Sequence, residues 1–446
     1  MVLTNDQENA RKLLIAFVES KAKIEDDYFY TLSGFAGTGK STMMNLVLQG
    51  LQRSVKVAVS APTHTAKEVI AGFTKKNAET IQALLGLRPN TDIEDFNPNK
   101  PVFDVKADER IQNYNLIVID ESSMLNKAMF KLIKKKAIQH RVKIIFMGDM
   151  YQLPPIGEVI SEVFKITNIV QLNEIVRQSN SNPNLKLIEL ARNDVRDKTN
   201  TLPKYIAQIK SDMNKEEGFK VLAKEAFYPA LLEKYFDSEY QQNSKLVKTI
   251  AWTNNTVKAV NIYIRNQVLQ SKELIAIGDI LTGYKTVSED LPNPPFFKMT
   301  VRNSVDYIVT NVNIIDKKIL GHIYKFYEVR VKDGEHLIPI LHPESYSDFL
   351  REYEERLRKA KDYRMWKGYY TFKNQFVLKE DLTINGTLVS KDIDYGYAIT
   401  VHKSQGSTYE NVAVILADIN QNRIDQERRK LAYVALSRTS KLNLIY

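Results

Sequence analysis

Short apolar runs alternate with longer segments of helical period through the first 175 residues of the chain. Tyr28 to Leu32, Val55 to Val59, Leu116 to Ile119 and Val142 to Met147 have the continuous apolar character of strands buried on both faces. Between them, Leu13, Leu14, Phe17 and Val18 mark an amphipathic helix. Ser41 to Leu51, Ala78 to Leu87 and the stretch from Lys127 read as further helices. This alternation predicts one doubly wound parallel sheet over residues 1–175.

The second half is more mixed. Residues 183–245 read as largely helical, and Val247 to Trp252 as a strand followed by a helix with Val257, Val260 and Ile264 on one face. From about residue 272 to 394 the period changes to two. Asp306 to Val312, Tyr324 to Val331 and His336 to Leu341 predict antiparallel strands, with a hairpin turn at Lys332-Asp333-Gly334-Glu335, and together a small β-barrel. Within it Tyr346 to Tyr363 predicts an exposed charged helix. Trp366, Tyr369, Tyr370 and Phe372, among Arg364, Lys367 and Lys373, are expected to glue that helix down rather than stack on bases. Strand and helix then alternate again: Tyr397 to Val401, Val412 to Leu416, Arg423 to Ser437 and Leu442 to Ile445. The second sheet is thus split, residues 176–271 and 395–446 flanking an insertion at 272–394. A second excursion, Arg88 to Gln112, is polar and carries Pro89, Pro98 and Pro101 with two isolated aromatics, Phe96 and Phe103. Those rings form either a small local core or a surface for stacked bases.

At 446 residues the chain exceeds a single core, and 43% hydrophobic with 26% charged residues is ordinary globular composition. A net charge of +10 favours a polyanionic partner. With no cysteine there are no disulfides or thiolate metal sites, and six scattered histidines make a zinc site unexpected. No apolar run approaches the roughly 18 residues of a membrane span, and Met1 to Ala10 lacks a signal-peptide pattern, so no membrane partner and a cytoplasmic location are expected.

The chemistry concentrates where strands end. Gly34-Phe35-Ala36-Gly37-Thr38-Gly39-Lys40-Ser41 closes the first strand and opens a helix, the setting of a phosphate-binding loop. Gly34, Gly37, Thr38 and Gly39 bring backbone N–H groups around a phosphate chain, the helix start at Ser41 and Thr42 adds dipole, Lys40 addresses the β and γ phosphates, and Ser41 offers a hydroxyl to Mg²⁺. Asp120-Glu121 ends the strand from Leu116: Asp120 is placed to hold the metal and Glu121 to deprotonate an attacking water. Gln152 follows another strand at the same end, placed to sense the γ-phosphate. Gln7 fits a capping box with Thr4, and its amide also suits the edge of adenine. Thr63, His64 and Thr65, after Pro62, offer hydroxyls and an imidazole near a helix start, where a phosphodiester can sit.

Nine motifs in order resemble those of a superfamily 1 helicase, of the branch that includes the Dda- and RecD-like enzymes. They are Gln7, the phosphate loop, Ser60 to Lys67, Asp120-Glu121, Gly148 to Gln152, Arg177, Ala251 to Asn255, Val401 to Gly406 and Tyr433 to Arg438. The resemblance implies ATP and Mg²⁺ bound between two RecA-like domains, with Arg177 and Arg438 as arginine fingers and Gln152 and Gln405 coupling the γ-phosphate to domain movement. Arg438, near a helix end, is expected to point across the cleft. The resemblance further implies single-stranded DNA held by Pro62, Thr63, His64, Thr80, Thr253, Asn254 and His402. It makes 88–112 a strand-splitting pin carrying Pro89, Phe96 and Phe103, and 272–394 an SH3-like accessory barrel. The Val-His-Lys-Ser-Gln-Gly form of residues 401–406 is that of 5′-to-3′ movement. Expected partners are single-stranded and fork DNA and a single-strand-binding or replication protein, for a chain acting as a monomer. A motor that unwinds duplex DNA is the leading expectation, and an ATP-gated DNA clamp that displaces proteins is the alternative.

Overall fold

The computed structural model describes residues 3–88, 91, 108–174, 182–291, 297–332 and 337–446. Pro89, Phe96, Phe103, Arg177 and the turn expected at 333–335 lie outside the described residues.

β1 (Phe29–Gly34), β2 (Val57–Ser60), β3 (Asn77–Ala78), β4 (Leu116–Ile119), β5 (Lys143–Gly148) and β6 (Ile169–Leu172) form one parallel sheet in the order β3-β2-β4-β5-β1-β6. Strands β2, β4 and β5 are buried at every residue, which is why they read as unbroken apolar runs. Alternate residues feed two cores. Leu116 and Val118 pack with α1 (Asn5–Glu19), α2 (Lys40–Gly50) and α3 (His64–Thr74). Ile117 and Ile119 pack with α4 (Ile81–Leu85) and α5 (Lys127–His140). Because all strands run parallel, the phosphate loop after β1, Asp120 after β4 and Asp149 after β5 emerge on one edge, the usual ligand edge of such sheets. The excursion expected to be wholly outside the core re-enters it before residue 112. Ile111 is a core residue, and Glu109 pairs with Lys136 and, at 3.1 Å, with His140.

The second unit begins with α6 (Asn184–Asp197) and α7 (Thr201–Gln208). It continues through the hairpin β7 (Ser211–Asn214) and β8 (Glu217–Val221) to α8 (Lys224–Tyr235), β9 (Val247–Ala251) and α9 (Asn254–Val268). Residues 183–245 are largely helical as expected, and the hairpin within them is the unexpected part. β7 is a mostly exposed edge strand, so its residues show no apolar alternation. After the insertion come β19 (Ala398–Thr400), β20 (Tyr409–Val414), α12 (Leu416–Ile419), α13 (Asp425–Leu436) and β21 (Thr439–Ile445). The sheet order is β19-β9-β20-β21-β8-β7, parallel except for the β7–β8 hairpin.

The insertion enters on β10 (Ile280–Gly283) and leaves on β18 (Ile393–Tyr395), and these two strands pair side by side, Thr282 opposite Asp394. Adjacent entry and exit let it interrupt the second sheet without distorting it. β11 (Val287–Asp290) and β12 (Phe297–Val301) form a ribbon. β13 (Asp306–Ile319), β14 (His322–Val331) and β15 (Leu337–Leu341) complete a five-stranded antiparallel sheet in the order β15-β14-β13-β10-β18. Among the described residues this sheet does not close into the expected barrel, since β15 and β18 stay unpaired with each other. Helices cover it instead. α10 (Tyr346–Tyr363) and α11 (Trp366–Lys373) set Phe349, Tyr353, Tyr369 and Phe372 against Tyr324 and Phe326 of β14, and β16 (Leu382–Ile384) with β17 (Thr387–Val389) adds Val389. The hydroxyls of Tyr353 and Tyr369 meet at 2.8 Å, so these aromatics are the glue of the layer.

Candidate nucleotide and nucleic-acid site

The start of α2 differs from those of α1, α3, α4, α5 and α9. Each of those five is capped by a side chain, from Thr4, Thr63, Thr80, Asn126 and Thr253, whereas Gly39 caps α2 with none. Its first N–H groups thus make no side-chain capping bond, and the helix dipole there favours an anion. Gly39 is left-handed, with φ of 78°, and a Cβ there would lie 2.9 Å from Gln7 Nε2. Gln7 does fill the capping box: Thr4 N–H donates to Gln7 Oε1 at 3.2 Å, and Gln7 N–H donates to Thr4 Oγ1 at 3.3 Å. Its Nε2 also donates to the carbonyl of Thr38 at 3.1 Å, tying α1 to the phosphate loop. The Lys40 ammonium donates to the carbonyls of Gly34 and Phe35 at 2.8 and 3.0 Å, so it lies in the concavity of the loop.

Across β5 from this loop, burial and the neighbouring Glu121 push the Asp120 carboxyl up to about 7, against the opposing pull of Lys40 and of the Glu121 N–H, which donates to Asp120 Oδ1 at 2.8 Å. Glu121 has φ of 48°, a left-handed conformation that a non-glycine residue holds only when its surroundings impose it. The oxygen donors of Ser41 and Asp120 suit Mg²⁺, a hard cation that binds through few protein groups plus phosphate and water. No cluster of three or more acidic, histidine or cysteine ligands exists among the described residues.

Two motifs of the second unit reach the first. Gln405 donates from Nε2 to the Leu153 carbonyl at 3.3 Å, and Leu153 itself is buried in the second unit's core. Gln152, beside it, is buried with its Oε1 unpartnered. Tyr433 on α13 donates to Asp149 Oδ2 at 2.6 Å and accepts from the Ala36 N–H of the phosphate loop at 3.2 Å. The sequence alone assigns Tyr433 no role, because a tyrosine in the apolar run of α13 reads as core. Arg438 does not point across the cleft. It is buried within its own unit, donating to the carbonyls of Val434 and Ser407 and to Ser437 Oγ.

The expected DNA contacts cluster at helix starts. Thr63, Thr80 and Thr253 each accept a backbone N–H as caps. Thr253 also donates to Asp418 Oδ1 at 3.0 Å, and Asn254 beside it is exposed. Parallel pairing of β9 and β19 places the turn at Thr253 next to that at His402, Thr400 lying opposite Ala251. His64 is buried, and burial with Lys67 and Arg302 lowers its pKa to about 4; burial also lowers that of His402. A contact that sequence reasoning missed comes from the insertion. Thr65 Oγ1 donates to the Ser304 carbonyl at 2.9 Å, and Lys403 donates to Asn303, so residues 303–304 touch both halves of this face.

Comparison with known proteins supplies the setting. Residues 16–208 match the family described as AAA domain, and residues 395–446 the UvrD-like helicase C-terminal domain. The chain is 28% identical to an uncharacterized protein of Acanthamoeba polyphaga mimivirus over 99% of both chains. It is 24% identical to the ATP-dependent DNA helicase dda of Enterobacteria phage T4, over 98% of this chain and 97% of that one. With the RecBCD enzyme subunit RecD of Buchnera aphidicola it shares 23% identity over 93% of this chain and 69% of that one. Among solved structures, Bacteroides Pif1 helicase in complex with ADP-AlF3 and single-stranded DNA aligns over 100% of this chain and 92% of that one, at 17% identity and a TM-score of 0.48.

Proposed function

We propose that this chain, a superfamily 1 helicase and thus an ATP-hydrolysing enzyme, moves 5′ to 3′ on single-stranded DNA and separates the duplex ahead of it. In this reading residues 1–175 form the first motor domain with a pin between Arg88 and Asp108, residues 176–271 and 395–446 the second, and residues 272–394 the accessory domain. The observation that carries it is the double reach across the cleft: Tyr433 bonds both Asp149 and the phosphate loop, and Gln405 bonds Leu153. A change at the phosphates is thereby felt by the segment that begins at His402 on the DNA face.

Gln7 and the loop Gly34 to Thr42 hold ATP. Ser41 and Asp120 are the residues that would hold Mg²⁺, whose charge would offset that of the phosphates. Glu121 accepts the proton of the water that attacks the γ-phosphorus, and Lys40 balances charge on the transferred group. Arg177 and Arg438 are the finger candidates; Arg438 must first leave its bonds to Ser407 and Ser437, a release suited to domain closure. Pro62, Thr63, His64, Thr80, Thr253, Asn254 and His402 line the strand, and Phe96 with Pro89 and Phe103 belongs to the pin. The protein works on fork DNA in the cytoplasm, as a monomer.

The deciding experiment is single-turnover unwinding of a duplex with a 5′ or a 3′ overhang. Unwinding from the 5′ overhang alone is expected; unwinding from the 3′ overhang alone reverses the direction, and DNA-stimulated ATPase activity with no unwinding from either makes the chain a clamp.

A further inference from the structure

Arg192 stands on α6 of the second unit, yet its guanidinium carbon lies 4.3 Å from the centroid of the Phe35 ring in the phosphate loop. The same ring meets Tyr151 at 5.2 Å. Arg192 is only 8% exposed. One bond is made, from Nη2 to Asn193 Oδ1 at 3.2 Å, while Nε and Nη1 are buried without an acceptor.

A guanidinium carries five N–H donors, and leaving them unmatched away from water is unfavourable. Buried arginines are therefore matched to carboxylates or phosphates. The acid that feels Arg192 is Asp197, and it is already held by both Nε and Nη2 of Arg196 at 2.8 Å. Among the described residues no carboxylate is left for Arg192. What lies beside it is the phosphate loop, at a defined end. The Phe35 carbonyl accepts from Lys40 Nζ, and that lysine addresses the β and γ phosphates. The next residue, Ala36, is the one held by Tyr433.

We propose that Arg192 is a nucleotide-binding residue whose free N–H donors take the γ-phosphate of ATP across the cleft, with the Phe35 ring holding the guanidinium plane at that position. ATP, but not ADP, then holds α6 against the phosphate loop, so Arg192 sets how strongly the protein distinguishes substrate from product. The proposal rests on the reading that the loop holds ATP.

The test is titration of the full chain, without DNA, with the β,γ-imido analogue of ATP and separately with ADP, each with Mg²⁺. Arg192→Met keeps the packing on Phe35 and removes charge and donors. It is expected to weaken the imido analogue about tenfold and ADP less than twofold. Equal weakening of both, or of neither, overturns the proposal and makes Arg192 a packing residue. Should Arg192→Met not fold, Arg192→Gln is judged by the same ratio. If the wild-type chain binds neither nucleotide while Lys40→Ala behaves identically, the ATP reading itself fails, which is a different result.

Discussion

The hydroxyl of Tyr433 donates to Asp149 across the cleft between the two parallel sheets, at 2.6 Å, and in the same position accepts from the N–H of Ala36. One side chain of the second unit thus ties the end of β5 to the phosphate loop. Both protein groups are buried, Asp149 at 1% exposure and Tyr433 at 0%, so neither can turn to water if the bond is lost. Removal of a partner from such a bond costs about 1–3 kcal/mol.

Tyr433→Phe keeps the ring and deletes the hydroxyl. DNA stimulation of ATP hydrolysis is expected to fall about tenfold or more, because the cleft loses its tie, while nucleotide affinity measured without DNA changes far less. Equal losses in both measurements would make Tyr433 part of the nucleotide pocket itself. Full retention of DNA stimulation would show that the tie carries no signal.

His64 makes stability depend on pH with a sign that follows from its burial. Its pKa is lowered to about 4 by desolvation and by Lys67 and Arg302, against about 6.5 when unfolded. Between these values the unfolded chain binds the proton more readily, so this contribution is complete above pH 6.5 and is lost as pH falls toward 4. The loss attributable to this one group is about 2 kcal/mol by pH 5 and about 3 kcal/mol by pH 4. Urea midpoints of wild type and His64→Gln should converge on acidification from pH 7 to 4.5; parallel curves would show that His64 takes up its proton equally in the folded and unfolded states. At neutral pH the folded-state imidazole is therefore uncharged.

What the chain disclosed in advance follows from how each feature is encoded. Strands β2, β4 and β5 are buried throughout and were plain as apolar runs, and Gly39, Lys40 and Asp120 sit in fixed spacing beside them. The β7–β8 hairpin was invisible because β7 is a polar edge, and β13 ran on past Val312 to Ile319 through an exposed, charged stretch. Ile111 was assigned to an excursion because a single apolar residue after a long polar run has no period to betray it. Tyr433 and Arg192 were missed for another reason. Their partners, Asp149, Ala36 and Phe35, are more than 150 residues away, and pairing across a cleft leaves no local pattern.

The insertion is held to the second unit by a buried ion pair. Arg265 of α9 donates from Nε and Nη2 to the two oxygens of Asp279 at 2.7 and 2.9 Å, with Asp279 fully buried and also accepting from Ala276 N–H and Tyr397 Oη. Removing one member leaves the other charged and unpaired, at a typical cost of about 3–5 kcal/mol. Asp279→Ala is expected to lower the free energy of unfolding by that amount, and the double variant Asp279→Leu with Arg265→Met to recover much of it. A loss under about 1 kcal/mol in the single variant would mean that water reaches the pair.

Gly406 is where the second unit comes close to both Glu121 and the start of α3 in the first. Its φ is 73°, in the left-handed region, and a Cβ placed there would lie 3.0 Å from Ala66 Cβ, 3.5 Å from Glu121 Cγ and 3.5 Å from Thr63 Oγ1. Alanine at 406 therefore meets two obstacles. The left-handed conformation costs about 1–2 kcal/mol for a residue with a Cβ, and the methyl group presses on α3, where Ala66 is buried and has no side chain to swing away. The cheapest escape is to move the 402–406 segment off α3, which separates it from Thr63 and Glu121 together. Gly406→Ala is accordingly expected to bind nucleotide normally but to lose at least tenfold in DNA-stimulated hydrolysis and to bind single-stranded DNA more weakly. Adding Ala66→Gly separates the two obstacles, because it removes the contact and leaves the backbone strain. Recovery in the double variant identifies the contact with α3 as the coupling element, and no recovery identifies the backbone conformation. Normal DNA-stimulated hydrolysis in Gly406→Ala alone would mean that this approach transmits nothing between the two faces.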